Sequence, residues 1–226
     1  MKRTVFLSSI LLLLLIVIPS CVRVEHSGKL IWHGDPSSNK IFLTFDDGPN
    51  PEWTPQVLDI LKKHNVKATF FVLGEKAKRY PGIVKRIQKE GHEIGNHTYT
   101  HSDGYNVDEK KILKELKDTD NIIKNLTGSS PKYFRPPFGF FNYRYFTIAE
   151  ELGYKTVLWT FDVGDWGNIS AKEMEKKILK ETKGGSIILL HDGGENQEEL
   201  IKALPNLIIK LKNKGFSIKK YQLLPK

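Results

Sequence analysis

The sequence predicts an α/β fold in which about seven or eight strand and helix units form a parallel barrel within a single domain. Short apolar runs alternate with longer amphipathic stretches along most of the chain, which indicates parallel strands covered by helices. No glycine-rich loop of the dinucleotide-binding type interrupts this alternation, which favours a barrel over an open doubly wound sheet. The 226 residues contain no internal repeat and no low-complexity linker, so one domain accounts for them.

The first predicted strand, 40–45, is an apolar run, and the first predicted helix, 55–64, has Thr54 as its N-cap and Pro55 at its first position. The later elements repeat this order, and several helices end at a glycine that suits a C-cap. The remaining predicted strands are 68–72, 92–94, 133–134, 156–161, 186–190 and 216–218. The remaining predicted helices are 75–90, 108–126, 143–152, 170–182 and 198–212.

Residues 1–20 have the layout of an export signal. Lys2 and Arg3 precede an apolar run at 10–18, and small residues follow that run. The run is short for a helix that spans a membrane, so a cleaved signal is expected and an uncleaved N-terminal anchor is the alternative. We therefore expect an exported protein that is extracellular or associated with the cell envelope.

Cys21 is the only cysteine, which excludes an internal disulfide bond. The segment 18–21 is similar to the cleavage box of bacterial lipoproteins, in which the cysteine is lipidated and becomes the new N-terminus. A lipoprotein anchored at Cys21 is therefore a further alternative. After the export segment 1–20 we expect a lead-in segment at 21–39, the barrel at 40–220 and a C-terminal tail at 221–226.

The formal net charge is +9, but the basic residues are dispersed along the chain. They recur in pairs along predicted helices, which is typical of solvated helix faces, and they form no clustered arm. We therefore predict no nucleic-acid partner, while a salt-sensitive attraction to anionic polymers such as a bacterial wall stays open. The expected state is a monomer that meets a membrane only through an N-terminal lipid or an uncleaved anchor.

Two adjacent carboxylates, Asp46 and Asp47, follow the apolar run of the first predicted strand and precede Gly48 and Pro49. Neighbouring side chains on a strand point to opposite faces, so both aspartates reach one pole only if the chain turns there, as the Gly-Pro step predicts. Two such carboxylates repel each other unless one binds a cation and the other is left as a base. An ordinary turn at a strand end is the alternative explanation of this pair alone.

Further polar clusters also follow predicted strands. The carboxyl ends of the strands in a parallel barrel meet at one mouth, so the fold would gather these clusters there. The clusters are 46–47, 97–101, 135–139, 165–166 and 191–192.

His97 and His101 are four residues apart, a spacing that places two imidazoles on one side of a helical turn. Such a pair suits a first-row metal with a carboxylate as the third ligand. By itself the pair is more typical of core or surface histidines, but the acid pair and the other clusters favour a metal site. Two histidines and one aspartate leave metal positions open for water and a substrate oxygen, which indicates hydrolytic chemistry.

A hydrolytic site also needs a base and an acid. Whichever carboxylate of the 46–47 pair is not a ligand is placed to act as the base, and His191 is the candidate acid for a leaving amine. Arg135 would orient the base and keep it ionised, although a rigid loop with a surface arginine is the ordinary explanation of its motif.

With these residues the chain resembles the NodB-homology polysaccharide deacetylases, carbohydrate esterase family 4, from residue 40 to residue 218. All five motifs of that family are present, in order. They are Thr-Phe-Asp-Asp-Gly-Pro at 44–49, His-Thr-Tyr-Thr-His at 97–101, Arg-Pro-Pro-Phe-Gly at 135–139, Asp-Val-Gly-Asp-Trp at 162–166 and Leu-Leu-His-Asp at 189–192.

The resemblance implies a distorted (β/α) barrel that removes acetyl groups from N-acetylglucosamine or N-acetylmuramic acid units of peptidoglycan, chitin or chitooligosaccharides. It also implies one divalent metal ion, Zn²⁺ in the first place and Co²⁺ or Ni²⁺ as alternatives, with Asp47, His97 and His101 as its ligands. In that family pattern Asp46 would be the base and His191 the acid.

The same resemblance implies that Arg135 orients Asp46 and that Asp165 pairs with His191. The backbone N–H of Phe138 would help to hold the oxyanion, while Trp166 and Leu189 would wall the acetyl pocket. An esterase that acts on O-acetyl xylan through the same metal site is the alternative enzyme. A sugar-binding barrel without catalysis is the alternative of another class.

Overall fold

The computed structural model describes residues 30–103, 107–139 and 143–222, and within them it contains nine strands and seven α-helices. The predicted export segment 1–20, the predicted lipidation site Cys21 and the tail beyond Gln222 lie outside the described residues. In the part of the chain that the structure covers, no helix is long and apolar enough to cross a membrane.

The strands are β1 (Leu30–Ile31), β2 (Lys40–Asp46), β3 (Thr69–Val72), β4 (Glu93–Asn96), β5 (Tyr133–Phe134), β6 (Lys155–Val157), β7 (Phe161–Asp162), β8 (Ile187–His191) and β9 (Ser217–Lys219). The helices are α1 (Trp53–Lys63), α2 (Gly74–Arg79), α3 (Pro81–Lys89), α4 (Glu109–Thr127), α5 (Tyr143–Glu151), α6 (Ala171–Glu181) and α7 (Glu198–Asn213). A 3₁₀ turn covers Pro137–Gly139.

The strands pair in parallel in the order β1-β6-β5-β4-β3-β2-β8-β7, and β9 pairs with the beginning of β2. Only residues 158–160 separate β6 from β7, yet β6 pairs with β5 and β7 pairs with β8 on the other side of the sheet. The sheet therefore curls back on itself. This confirms the predicted α/β class, the distorted barrel and the single domain.

Alternation along β2 explains how the barrel delivers an acidic side chain to its interior. Ile41 and Leu43 pack in the largest apolar cluster, together with side chains from the surrounding helices. Phe42 belongs to a second, smaller cluster that faces away from those helices. Thr44 and Asp46 continue the face of Phe42, because side chains two residues apart lie on the same side of a strand.

The segment 21–39, predicted as a lead-in, contributes a strand to the sheet. Leu30 pairs with Thr156 and Ile31 with Val157, so β1 extends the sheet beyond β6. Ile31 is buried and packs in the same cluster as Val157, which explains why so short a strand is held in place.

The predicted helix 75–90 is wrong in one respect, because it is two helices, α2 and α3, that meet at Tyr80. Tyr80 has φ −124° and ψ 57°, outside the helical region, and Pro81 is the first residue of α3. Proline has no N–H to donate and disfavours a helical residue before it, so the first helix ends there. The predicted strand 156–161 is likewise divided into β6 and β7, because its two ends pair with different strands.

The predicted cap of the first helix is also wrong. Helix α1 begins at Trp53, and Asn50 Oδ1 accepts hydrogen bonds from the N–H groups of Glu52 and Trp53 at 2.8 and 3.1 Å. The Thr54 hydroxyl donates instead to Asp192 Oδ2 at 2.5 Å. A side chain that was expected to serve its own helix therefore contacts the end of β8.

Candidate metal centre and catalytic site

The predicted polar clusters lie together at the carboxyl ends of the parallel strands. Asp46 is the last residue of β2 and His191 is the last residue of β8, and the two pair in register. His97 follows β4, Arg135 follows β5, and Asp165 lies just beyond β7. Because all these strands run in one direction, the five side chains share one mouth of the barrel.

Strained backbone is concentrated at this mouth. Five described residues other than glycine have φ in the left-handed region, and four of them belong to the predicted motifs: Asp47 at 68°, Thr98 at 70°, His101 at 62° and Phe138 at 60°. Such conformations are costly and cluster at functional sites. At Asp47 the left-handed turn lets both carboxylates of the acid pair face one pole, as the Gly-Pro step predicts.

Asp47, His97 and His101 form a group whose ligand atoms all lie within 4.8 Å of one another, and it is the only such group found among the described residues. Asp47 Oδ1 is 3.3 Å from His97 Nε2 and 3.2 Å from His101 Nε2. Asp47 Oδ1 is also buried without a hydrogen-bond partner in the structure. A divalent cation between the three atoms would satisfy this oxygen, so the residues present fit the metal ion that the family pattern implies.

The electrostatics of this group suit a cation as well. His97 Nδ1 donates to the carbonyl oxygen of Arg135 at 2.7 Å, which leaves the Nε2 lone pair toward Asp47. Burial opposes ionisation of Asp47, but contact with His97 and the charges of the neighbouring histidines outweigh it and hold the pKa of Asp47 well below its usual range. Burial lowers the pKa of His101. Asp47 therefore favours its carboxylate form and His101 its neutral form, which are the forms that bind metals.

The two histidines do not lie on a helical turn, contrary to the argument from their spacing. They lie on the loop that follows β4, where Thr98 and His101 are left-handed. The loop brings the two imidazole rings to a centroid distance of 5.1 Å. The spacing therefore selects two residues that do lie together, but the helical turn that it predicts is wrong.

Arg135 fixes one oxygen of Asp46. Its side chain is fully buried, and Nη1 donates to Asp46 Oδ1 at 2.7 Å. Nε and Nη2 donate to the carbonyl oxygens of Val157 and Leu158 at 3.0 and 2.9 Å, which locks the guanidinium in place. Asp46 Oδ2 is 3.8 Å from His97 Nε2. One carboxylate oxygen is thus held by a fixed positive charge while the other faces the candidate metal group.

Asp165 holds His191 through two contacts. Its Oδ2 accepts a hydrogen bond from the His191 backbone N–H at 2.7 Å, and its Oδ1 lies 2.8 Å from His191 Nδ1. A carboxylate oxygen only accepts, so Nδ1 carries a proton and Nε2 is left for a substrate. Burial by itself would lower the pKa of His191, but the hydrogen bond and charge of Asp165, with the charges of Asp46 and Asp47, raise it to about 9.

The three residues predicted to contact the substrate lie in different settings. The Phe138 ring is 57% exposed and packs edge-on against His101 at a centroid distance of 4.5 Å. Trp166 is 70% exposed, and its indole N–H donates to Asp162 Oδ2 at 3.1 Å. Leu189 is buried within β8. The two aromatic rings are therefore available to a ligand at the mouth, and all three contact roles stay predictions.

A cleft of about 580 Å³ extends from this mouth between the chain segments that follow β7 and β8. Asp47, Asp165 and His191 line it on the side of the catalytic groups, and Trp166 lines its wall. Its volume is typical of ligand sites. The candidate metal group therefore opens onto a space that can hold a substrate.

Asp192 had no predicted role, and the structure buries it completely beside the mouth. Its carboxylate accepts from Thr54 and packs against Gly48, where a Cβ atom would come within 2.5 Å of Oδ1. Burial raises the pKa of Asp192 to about 7. The hydrogen bond from Thr54 lowers this pKa, whereas the negative charges of Asp47 and Asp46 raise it further. Its bond to Thr54 joins residues 138 positions apart, for which one sequence carries no signal.

A candidate metal group, a carboxylate held by Arg135 and an imidazole held by Asp165 lie together at one mouth of the barrel, which is the arrangement of a hydrolase. The family model described as polysaccharide deacetylase matches residues 33–157, more than half of the chain. The chain belongs to the polysaccharide deacetylase family, as its five motifs predict.

Individual relatives agree with this assignment. A peptidoglycan-N-acetylglucosamine deacetylase of Bacillus cereus is 39% identical over 196 residues, which are 86% of this chain and 92% of that protein. A solved peptidoglycan N-acetylglucosamine deacetylase matches with a TM-score of 0.81 and 39% identity, over 85% of this chain and 90% of that one. A family 4 pseudoenzyme of Bacillus anthracis matches with a TM-score of 0.80 and 31% identity, over 86% and 68% of the two chains. The family thus includes inactive members, so activity has to be argued from the site.

Proposed function

We propose that the protein is a metal-dependent hydrolase that removes N-acetyl groups from the amino-sugar units of peptidoglycan, with N-acetylglucosamine as the preferred unit. One observation carries this proposal: Asp46, held by Arg135, lies beside the group formed by Asp47, His97 and His101. Two of the relatives named above act on N-acetylglucosamine of peptidoglycan, which supports that polymer over chitin and chitooligosaccharides.

Asp47, His97 and His101 would hold the divalent ion, with Zn²⁺ as the first candidate. Bound there, such an ion supplies a Lewis acid that activates water and polarises the acetyl carbonyl. Asp46 takes the proton from the attacking water on Oδ2, because Arg135 occupies Oδ1. The fixed guanidinium also keeps Asp46 in the orientation that this transfer requires.

His191 supplies the proton that an amide substrate needs when its amine leaves. Asp165 holds Nδ1, so Nε2 is the atom that donates. The backbone N–H of Phe138 would contribute to holding the oxyanion, and Trp166 and Leu189 would bound the acetyl pocket. An amine is a poor leaving group unless it is protonated, so the raised pKa of His191 supports amide hydrolysis in particular.

A direct substrate comparison tests this proposal against the xylan-type alternative. Purified protein supplied with Zn²⁺, Co²⁺ or Ni²⁺ would be assayed for acetate release from peptidoglycan, N-acetylated chitooligosaccharides and acetylxylan. We expect release from the amino-sugar substrates and the highest rate on peptidoglycan. Release from acetylxylan alone would overturn the assignment of amide substrates. Release from none of them with any metal would indicate a non-catalytic barrel.

The pairing of Asp165 with His191 leads to a prediction on pH dependence. The acid form of His191 is present below its pKa of about 9 and is lost as the pH rises through that value. Replacing Asp165 with Asn removes the charge that raises this pKa while the side chain keeps its shape. We expect Asp165→Asn to move the alkaline limb of the pH–rate profile to lower pH and to reduce the maximal rate.

The measurement is kcat/KM against pH for both proteins at saturating metal, together with their metal content. A bound cation lowers the pKa of His191 in both proteins, so the comparison between them is unaffected. Asp118→Asn serves as the control, because it makes the same change of carboxylate to amide on the outer face of α4, where Asp118 pairs with Lys114. An alkaline limb that stays in place in Asp165→Asn would show that His191 is not the acid or that Asp165 does not act on it.

We also propose that the protein acts outside the cytoplasmic membrane, as a monomer, on the cell wall. The export layout of residues 1–20 and the peptidoglycan substrates of its relatives support this location. Attachment would be through a lipid on Cys21 or through the uncleaved segment. The division into a lead-in at 21–39, a barrel at 40–220 and a tail at 221–226 belongs to the same proposal.

A further inference from the structure

A buried carboxylate on helix α4 contacts the loop that carries both candidate histidine ligands. Glu115 is 7% exposed and lies on the buried face of the helix, between the apolar residues Ile112 and Leu116. A glutamate is rarely buried unless its oxygens are satisfied. Its partners therefore indicate why it occupies an apolar position.

Among the described residues, the hydrogen bonds of the Glu115 carboxylate go to the loop 97–101. Its Oε2 accepts from the backbone N–H groups of Tyr99 and Thr100 at 2.8 and 2.7 Å. Its Oε1 accepts from the Thr100 hydroxyl at 2.9 Å. One side chain thus satisfies three donors that immediately precede His101.

Other bonds also hold this loop, and two of them come from helix α2: the N–H groups of Gly74 and Glu75 donate to the carbonyl oxygens of Thr98 and Tyr99 at 2.9 and 3.1 Å. The Asn96 amide oxygen accepts from the Thr98 N–H at 2.9 Å, and the Thr98 hydroxyl accepts from the His101 N–H at 3.1 Å. These two bonds are local, whereas α2 and Glu115 tie the loop to separate elements, and Glu115 is the partner that accepts from the N–H groups of Tyr99 and Thr100. Because Thr98 and His101 are left-handed, the loop is under strain that an external contact must offset.

We propose that Glu115 is a positioning residue that holds the loop 97–101 so that His97 and His101 present their Nε2 atoms to one metal ion; this rests on the proposed metal centre. The charge of the side chain matters because a carboxylate offers acceptors on both oxygens. A glutamine of the same shape would turn an NH₂ group toward at least one of the three donors. Glu115 contacts neither the ligand atoms nor the reacting groups, so it acts through metal affinity rather than through the chemical step.

The test compares Glu115→Gln with Asp118→Asn, which makes the same change of carboxylate to amide on the same helix. Asp118 lies on the exposed face and pairs with Lys114, away from the loop. Zn²⁺ affinity of the full chain would be measured by competition with a chromogenic chelator, and thermal stability without metal would be measured alongside. We expect Glu115→Gln to raise the Kd for Zn²⁺ by about 10-fold to 100-fold, as loss of an outer-shell partner does. Asp118→Asn should leave it unchanged.

At saturating Zn²⁺ we expect Glu115→Gln to recover a kcat within about threefold of the wild type, because it does not touch the reacting atoms. An unchanged Kd, or the same rise in Asp118→Asn, would overturn the proposal. If Glu115→Gln does not fold, Thr100→Val tests the proposal instead, because it removes only the hydrogen bond from the Thr100 hydroxyl to Glu115. A raised Kd for Zn²⁺ at unchanged Tm would support the positioning role of Glu115. An unchanged Kd would overturn it. Wild-type protein that binds no Zn²⁺ would overturn the metal centre itself.

Discussion

Replacing Asp46 with Asn is expected to lower kcat by about 10²-fold or more while the protein keeps its metal. Asp46 Oδ2 faces the candidate metal group without belonging to it, so its loss removes the base and spares the ligands. The amide oxygen of Asn can still accept from Arg135, which limits the effect on stability. The measurement is the rate of acetate release together with metal content by elemental analysis.

Asp47→Asn is the matched control, because it makes the same change at the adjacent position. We expect that variant to lose both activity and bound metal, since Asp47 Oδ1 is the oxygen common to both histidines. Equal loss of metal in the two variants would contradict the division into one base and one ligand. Full activity in the Asp46→Asn variant would show that Asp46 is not the base.

Removal of the metal is expected to abolish activity, and Zn²⁺ or Co²⁺ should restore it. The reason is that the water and the acetyl carbonyl depend on a Lewis acid that no described side chain replaces at this site. We expect His101→Ala to bind Zn²⁺ at least about 10²-fold more weakly, because the group loses one of its three protein ligands. Both results are read from acetate release in excess chelator and from titration with the metal.

His33→Ala is the control for that variant, since His33 is exposed and lies outside the group of candidate ligands. It should bind metal as the wild type does. Full activity in excess chelator would contradict a metal-dependent mechanism. Unchanged Zn²⁺ affinity in His101→Ala would remove that residue from the ligand set.

Much of the fold follows from patterns that a single sequence contains. Apolar runs such as 41–45 and amphipathic stretches such as α4 have the periods of strands and helices, and their alternation leads directly to a parallel barrel. The errors occur where a tertiary contact decides the outcome. The strand 156–161 divides because of the partners of its two ends, and β1 is too short to show a period.

The site was predictable in its residues more than in its geometry. The polar residues at the carboxyl ends of the predicted strands indicate which side chains lie at the mouth, because a parallel barrel brings those ends together. Spacing could not show that His97 and His101 lie on a loop with left-handed residues. Glu115 did leave a signal, since it is a charged residue on the apolar face of α4, whereas the contact between Asp192 and Thr54 left none.

The parallel arrangement of the strands also fixes the direction from which the chain arrives. Strand β1 runs parallel with β6, so the chain passes from Leu30 to Ile31 in the direction of the catalytic mouth. If the protein is held through Cys21, the nine peptide steps from Cys21 to Leu30 reach at most about 30 Å. The barrel would then stay within about that distance of the surface that holds it, so it could reach only the layer of polymer next to that surface.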